Sequence, residues 1–125
     1  MRQLAAKDPN NGQWLHDQTA SLDRISDVLR TSGDLVGAKQ YNEASLEIMR
    51  RLVVSDPENV QWQLGLSGCL DRVSDFLETS GDMDGAKKHH EESVTIMQNL
   101  VKKDPNNTQW KMGLEESLTK SGRVY

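Results

Sequence analysis

The chain has 125 residues, a net charge of −4, a pI near 5.3 and a hydrophobic content of 35%. That length fits one domain, and the low apolar content favours an elongated shape over a compact globule. The acidic balance excludes a general nucleic-acid binder, which would concentrate Lys and Arg to neutralise phosphates. No stretch approaches the roughly 20 apolar residues of a membrane helix, and the single Cys69 cannot form an internal disulfide. We therefore expect a soluble, cytoplasmic protein that does not bind membranes.

The sequence contains an internal repeat with a period of 48 residues. Successive tryptophans are one period apart, at Trp14, Trp62 and Trp110. The same holds for the prolines, at Pro9, Pro57 and Pro105. Residues 1–48 and 49–96 are identical at half of their aligned positions. The register predicts the tail of one repeat at 1–8, full repeats at 9–56 and 57–104, and the start of a truncated repeat at 105–125. We expect this segment to come from a longer array.

Each repeat opens with a predicted helix. An Asn side chain can cap its first turn, at Asn11, Asn59 or Asn107. One apolar stripe then follows at helical spacings, through Trp62, Leu66, Leu70, Val73 and Leu77. The helix is expected to end at Gly33 or Gly81, because glycine readily adopts the left-handed conformation that terminates helices.

A second predicted helix begins directly afterwards, capped by Asp34 or Asp82. Its inward residues are predicted to be Ala38, Ser45, Ile48 and Leu52, and in the next copy Ala86, Ser93, Ile96 and Leu100. It should end near the following Asp-Pro pair, because proline disfavours helical geometry in the residue before it. Each repeat is thus a hairpin of two helices of about 20 residues. A lone hairpin cannot bury both faces, so the hairpins are expected to stack as a solenoid.

At these positions the chain resembles the tetratricopeptide repeat family, whose usual unit has about 34 residues. The matching residues of the first copy are Leu22, Ile25, Ser26, Leu29, Gly33, Asp34, Ala38 and Ser45, and those of the second are Leu70, Val73, Ser74, Leu77, Gly81, Asp82, Ala86 and Ser93. In the third copy Gly122 and Tyr125 match the family's small and aromatic places. The longer period adds about two turns to each helix. The resemblance implies an all-α fold, a right-handed α-solenoid of antiparallel hairpins.

The segments TSGDLVGAK (31–39) and TSGDMDGAK (79–87) each contain two glycines followed by a lysine, as a phosphate loop could. A phosphate loop follows a strand and ends in GK[ST], whereas here the glycine follows a predicted helix and an aspartate occupies the place of the phosphate. We therefore predict hairpin turns. Gly37 and Gly85 are interpreted as small residues that let the two helices approach closely.

No catalytic residue, cofactor or metal site is predicted, and the protein is expected not to be an enzyme. His89 and Glu92 lie one turn apart and could chelate a metal weakly, which leaves a metal-dependent hydrolase using His89, His90 and Glu92 as a minor alternative. A structural zinc site needs three or four ligands, so an ordinary helix surface is the preferred interpretation. Cys69 is expected to be a semi-buried structural thiol.

The family resemblance implies that the first helix of each repeat lines a concave inner face that holds a peptide or protein segment. The residues predicted there are Asp23, Asp27, Arg30, Asp71, Asp75, Glu78, Thr119 and Arg123. This mostly acidic stripe would attract a basic segment. Alternatively, the neighbours Asp23 and Arg24, and likewise Asp71 and Arg72, compensate one another on a solvated face. Some family members clamp a terminal carboxylate with Lys, Asn and Arg, but aspartates stand at the key places here.

The sequence therefore predicts a non-enzymatic protein–protein interaction scaffold with an acidic concave face. The alternative is a structural spacer, or a self-association repeat domain of a larger multidomain signalling protein, whose uncovered repeat ends stack end to end on other copies.

Overall fold

A computed structural model describes the backbone of residues 9–124 and the side chains of residues 12–119. It contains five helices and, over 9–124, no strand. They are α1 (Pro9–Thr31), α2 (Leu35–Ser55), α3 (Val60–Thr79), α4 (Met83–Lys103) and α5 (Thr108–Val124). The all-α prediction is confirmed, and α1 to α4 have close to the predicted length. The predicted tail at 1–8 lies outside the described residues. Among residues 9–124, none of the five helices combines the length and the hydropathy of a membrane-spanning segment.

The turn between α1 and α2 is built as the sequence predicts. Gly33 has a φ of +94°, a conformation that glycine adopts without a steric penalty. Its neighbour Asp34 donates its N–H to the carbonyl of Leu29 at 2.8 Å, which closes the end of α1. The Asp34 carboxylate accepts the N–H of Gly37 at 2.9 Å and caps α2. The turn between α3 and α4 repeats this geometry at Gly81 and Asp82.

The Asp-Pro turns that join the hairpins are capped by asparagine. Asn59 accepts the N–H of Trp62 at 3.1 Å, and Asn107 accepts the N–H of Trp110 at 3.0 Å. The prediction of the same cap at Asn11 is wrong, because α1 already begins at Pro9. Proline suits the first helical position, since its φ is preset and its missing N–H would be unbonded there.

Consecutive helices pack against one another along the chain, α1 on α2, α2 on α3, α3 on α4 and α4 on α5. The main apolar cluster of the described chain lies around α2 and α3 and comprises Leu46, Met49, Leu52, Leu66, Cys69, Leu70, Val73, Leu77 and Ala86. The predicted stripe of α3 is confirmed from Leu66 to Leu77, and Trp62 packs against it. In α2 and α4 the isoleucines Ile48 and Ile96 are only partly buried, and the neighbouring methionines are buried instead.

Buried serines tie the helices together at repeated positions. Ser26 of α1 donates to the carbonyl of Ala38 in α2 at 2.8 Å, and Ser74 of α3 donates to the carbonyl of Ala86 in α4 at the same distance. All four residues are completely buried. Each bond therefore lies inside a hairpin, where a serine hydroxyl has no competing water.

The interpretation of Gly37 and Gly85 as sites of close helix approach is wrong. A Cβ added to Gly37 would lie 2.5 Å from Oδ2 of Asp34, and one added to Gly85 would lie 2.5 Å from Oδ2 of Asp82. The nearest atoms belong to the capping carboxylate rather than to the opposite helix. A residue with a Cβ at these positions would therefore require the capping carboxylate of its own helix to shift.

Candidate functional site

The helices α1, α3 and α5 carry the residues predicted to bind a partner, and we call the side chains Asp23, Asp27, Arg30, Asp71, Asp75, Glu78 and Thr119 the inner face. Asp27, Arg30 and Thr119 are exposed, whereas the other four are partly buried. The side chain of Arg123 lies outside the described residues, although its backbone belongs to α5.

An ion pair at the inner face links α1 of the first hairpin to α3 of the second. Arg72 of α3 donates to Asp27 of α1 at 3.0 Å, over a sequence separation of 45 residues. The charge of Asp27 is therefore partly compensated, as the alternative interpretation proposed, but by an arginine of the next repeat rather than by its own sequence neighbour. The acidic character of the face is correspondingly reduced at α1.

Asp23 lies at the boundary between the inner face and the core. Burial is the largest influence on this carboxyl and raises its pKa above the ordinary value, while Arg72 and the hydroxyl of Ser45 act in the opposite direction. Among the described residues, neither polar atom of the nearly fully buried Asn42 has a hydrogen-bond partner. One period further along, these two positions are Asp71 and His90.

The interpretation of His90 as a residue on an ordinary helix surface is wrong, because its exposed fraction is 1%. Nε2 lies 2.9 Å from the backbone carbonyl of Ser117, and since a carbonyl only accepts, Nε2 carries the proton of that bond. Nδ1 lies 3.4 Å from Oδ1 of Asp71. His90 therefore connects α4 to both α3 and α5.

A recess of about 600 Å³ opens beside this contact. Its lining residues are Asp71, His90, Met112, Glu115, Glu116, Ser117 and Thr119, and we call it the acidic recess. Two predicted residues, Asp71 and Thr119, meet at its walls. Three carboxyl side chains around one opening favour a cationic group such as a lysine or arginine side chain.

Glu115 and Glu116 of the acidic recess were missed from the sequence, and His90 was named only as a possible metal ligand. Glu115 and Glu116 stand where the preceding copy has Ser67 and Gly68, so the repeat gave no indication of an acidic position. His90 replaces Asn42. These residues could have been found as positions where one copy differs from the preceding copy. All three differences lie at the junction of α4 and α5.

The arrangement around His89 and Glu92 does not favour a metal site. Glu92 accepts two hydrogen bonds from Arg50 of α2, at 2.5 and 3.0 Å, and is committed to that ion pair. Nδ1 of His89 lies 2.8 Å from the carbonyl of Gly85. Within the part of the chain that the structure describes, no group of three His, Cys, Asp or Glu side chains could hold a metal ion.

Cys69 is buried in the main apolar cluster and lies 3.4 Å from the hydroxyl oxygen of Ser45. Burial raises the pKa of the thiol, which disfavours the reactive thiolate. This setting agrees with the predicted structural thiol, although the side chain is more deeply buried than expected.

Comparisons with protein-family models, with curated proteins and with solved structures found no match to this chain.

Proposed function

We propose that the chain is a tetratricopeptide-like segment of a right-handed α-solenoid that acts as a non-enzymatic interaction scaffold in the cytoplasm. The support is the repetition of one hairpin, with the same glycine stop, aspartate cap and buried serine bond in both copies. Stacked hairpins form extended surfaces, which such scaffolds use to hold other chains.

The partner that fits this surface best is a basic peptide or protein segment lying along the inner face. The observation that carries this proposal is the acidic recess, in which Glu115, Glu116 and Asp71 surround a cavity large enough for a side chain. Exposed ion pairs contribute little energy each, so the charges should act mainly on the association rate and on partner selection. Binding should therefore weaken as salt is raised.

The proposal is tested by reversing charge at the acidic recess. We expect the double variant Glu115→Lys/Glu116→Lys to weaken the binding of a labelled Lys- and Arg-rich peptide by about tenfold or more at low salt. Both side chains are exposed, so the fold should survive. The matched control is Glu47→Lys/Glu91→Lys, which makes the same charge change on exposed positions of α2 and α4. Equal losses in the two variants, or no loss in either, would reject the assignment of the surface.

A second candidate function is a spacer or self-association element of a larger signalling protein. It is favoured by Leu118 of α5, which is 46% exposed, whereas its counterpart Leu70 in α3 is completely buried. The apolar stripe of α5 thus has a surface that a further helix could cover. Light scattering at rising protein concentration tests this candidate: association that Leu118→Lys abolishes would support it. A monomer at every concentration that still binds the basic peptide would reject it.

A further inference from the structure

A second recess, next to the turn between α1 and α2, has a predominantly apolar lining surface. It has a volume of about 360 Å³ and lies between the start of α2 and the end of α3. Leu35 and Val36 form one wall, and Phe76, the only phenylalanine of the sequence, forms the other. We call it the Phe76 recess. It contains none of the residues that line the acidic recess.

The Phe76 recess is continuous with the inner face. A smaller cavity of about 130 Å³ shares Leu35, Phe76 and Thr79 with it and is completed by Arg30 and Asp75. The guanidinium carbon of Arg30 lies 5.5 Å from the centre of the Phe76 ring, within the range of a cation–π contact. A segment bound along the inner face would therefore pass next to this opening.

Phe76 is buried at the base of the recess, whereas Val36 is not needed by the hairpin. Val36 is 71% exposed, and its counterpart one period later is Asp84. The second hairpin forms the same turn and the same cap with that aspartate in place. An exposed valine at position 36 therefore contributes little to the core, and its apolar side chain can contact a ligand.

The charges around the recess balance. Lys39 and Glu43 lie along its α2 side. Arg30 and Asp75 complete the smaller cavity on the other side. With one cation and one carboxylate on each side, the opening has no net charge, which suits an uncharged side chain. The cavity volume exceeds that of a single aromatic ring, so a phenylalanine or leucine side chain can enter.

We propose that the Phe76 recess binds one large apolar side chain, aromatic or aliphatic, of the segment that lies along the inner face. The inference rests on the proposed function and specifies the partner further, as a basic segment with an apolar anchor residue. Burying such a side chain should improve affinity by roughly tenfold to a hundredfold.

The test uses the full chain, two small probes and a peptide pair. N-acetylphenylalanine amide should shift the backbone NMR signals of Leu35, Val36 and Thr79, whereas N-acetylalanine amide should not. A Lys-rich peptide with one central phenylalanine should bind roughly tenfold to a hundredfold more tightly than the same peptide with alanine.

The variant Val36→Asp copies the second hairpin and should abolish both effects while leaving the thermal melt unchanged, since an acidic residue is favourable in the first turn of a helix. The matched control Asp84→Val should change neither. A second pair, Leu35→Glu and Met83→Glu, compares counterparts that are 44% and 41% exposed, and only the first should lose binding.

The possible outcomes separate the two proposals. If the phenylalanine probe causes no shifts at these residues while the Lys-rich peptides bind equally well with alanine, the apolar anchor is wrong and the basic segment stands. If the probe binds and Val36→Asp removes it, the recess is supported even where both Lys-rich peptides fail to bind, and in that case the proposed function is the part that fails.

Discussion

Nε2 of His90 donates a hydrogen bond to the backbone carbonyl of Ser117 at 2.9 Å, and this bond fastens α5 to α4 at the wall of the acidic recess. The same imidazole faces Asp71 at 3.4 Å. One buried side chain on α4 therefore bonds to α5 and lies against α3. The acidic recess depends on the relative position of these helices, because its walls come from α3, α4 and α5.

We expect His90→Ala to loosen α5 before the rest of the molecule. The substitution leaves a cavity and removes the bond to Ser117, with a cost of about 1–3 kcal/mol. Hydrogen exchange should show a larger loss of protection in α5 than in α2. His89→Ala is the control, because His89 lies on the same helix and bonds only within it. A uniform loss of protection over all helices would contradict the role assigned to His90.

Gly37→Ala should destabilise the chain although it replaces glycine inside a helix. The new Cβ would collide with the carboxylate of Asp34 and displace the cap of α2, at a cost of about 1 kcal/mol. Gly68→Ala is the matched contrast, because no atom lies within 4 Å of its Cβ position and the residue is exposed within α3.

That second change should therefore stabilise by about 0.5–1 kcal/mol, since alanine is the better helix former. Urea denaturation measures both variants. Combining Gly37→Ala with Asp34→Ala should cost less than the sum of the two single changes, because both act on the same cap. Strict additivity would show that Gly37 is needed for another reason.

Ser74→Ala removes a buried hydrogen bond to the carbonyl of Ala86. The expected loss is about 1 kcal/mol in the free energy of unfolding. Ser26→Ala should cost a similar amount, because Ser26 makes the same bond to Ala38 at the same distance. The control is Thr79→Ala, whose hydroxyl bonds within its own helix at an exposed position and should change stability by less than about 0.5 kcal/mol. Equal effects in all three variants would contradict a special role for the buried serines.

The raised pKa of Asp23 predicts the direction in which the stability of the chain changes with pH. Burial raises the pKa of this carboxyl in the folded state above the ordinary value of 3.8, so between those two pKa values the folded chain binds more protons than the unfolded chain. The contribution of Asp23 to stability is therefore present below pH 3.8 and is lost as the pH rises through the folded pKa.

Asp23→Asn removes this dependence, and we expect it to raise the free energy of unfolding at neutral pH, with the gain shrinking in acid. Chemical denaturation at several pH values measures the effect. The exposed Asp17→Asn, also on α1, is the control and should change stability by less than about 0.5 kcal/mol. A loss of stability at neutral pH in Asp23→Asn would instead show that attraction to Arg72 outweighs burial.

Much of the fold could be predicted because the determining interactions are local. Gly33 and Asp34 form the turn through atoms at most five residues apart, so the residues of the motif suffice. The stripe from Leu66 to Leu77 follows helical spacing, and its burial was predicted from that spacing. One local prediction was wrong because it assigned the wrong contact: Gly37 lies against the capping carboxylate of Asp34 rather than against the opposite helix.

Much less of the candidate site could be predicted, because its contacts join different repeats. The pairs Asp27 with Arg72 and Arg50 with Glu92 bridge more than forty residues, and no periodic pattern identifies such partners. The acidic recess and the Phe76 recess both depend on residues that depart from the repeat, Glu115 and Glu116 in one and Val36 in the other. A repeat defines what the copies share, whereas these recesses arise from where the copies differ.

The central claim is that a basic segment binds along the inner face, and NMR mapping of a bound Lys- and Arg-rich peptide tests it most directly. We predict backbone shifts along the inner face and around the acidic recess, strongest at Asp71, Glu115 and Glu116, and reduced at high salt. Shifts concentrated on the exposed sides of α2 and α4, around Glu47 and Glu91, would contradict the claim, as would no shifts at low salt.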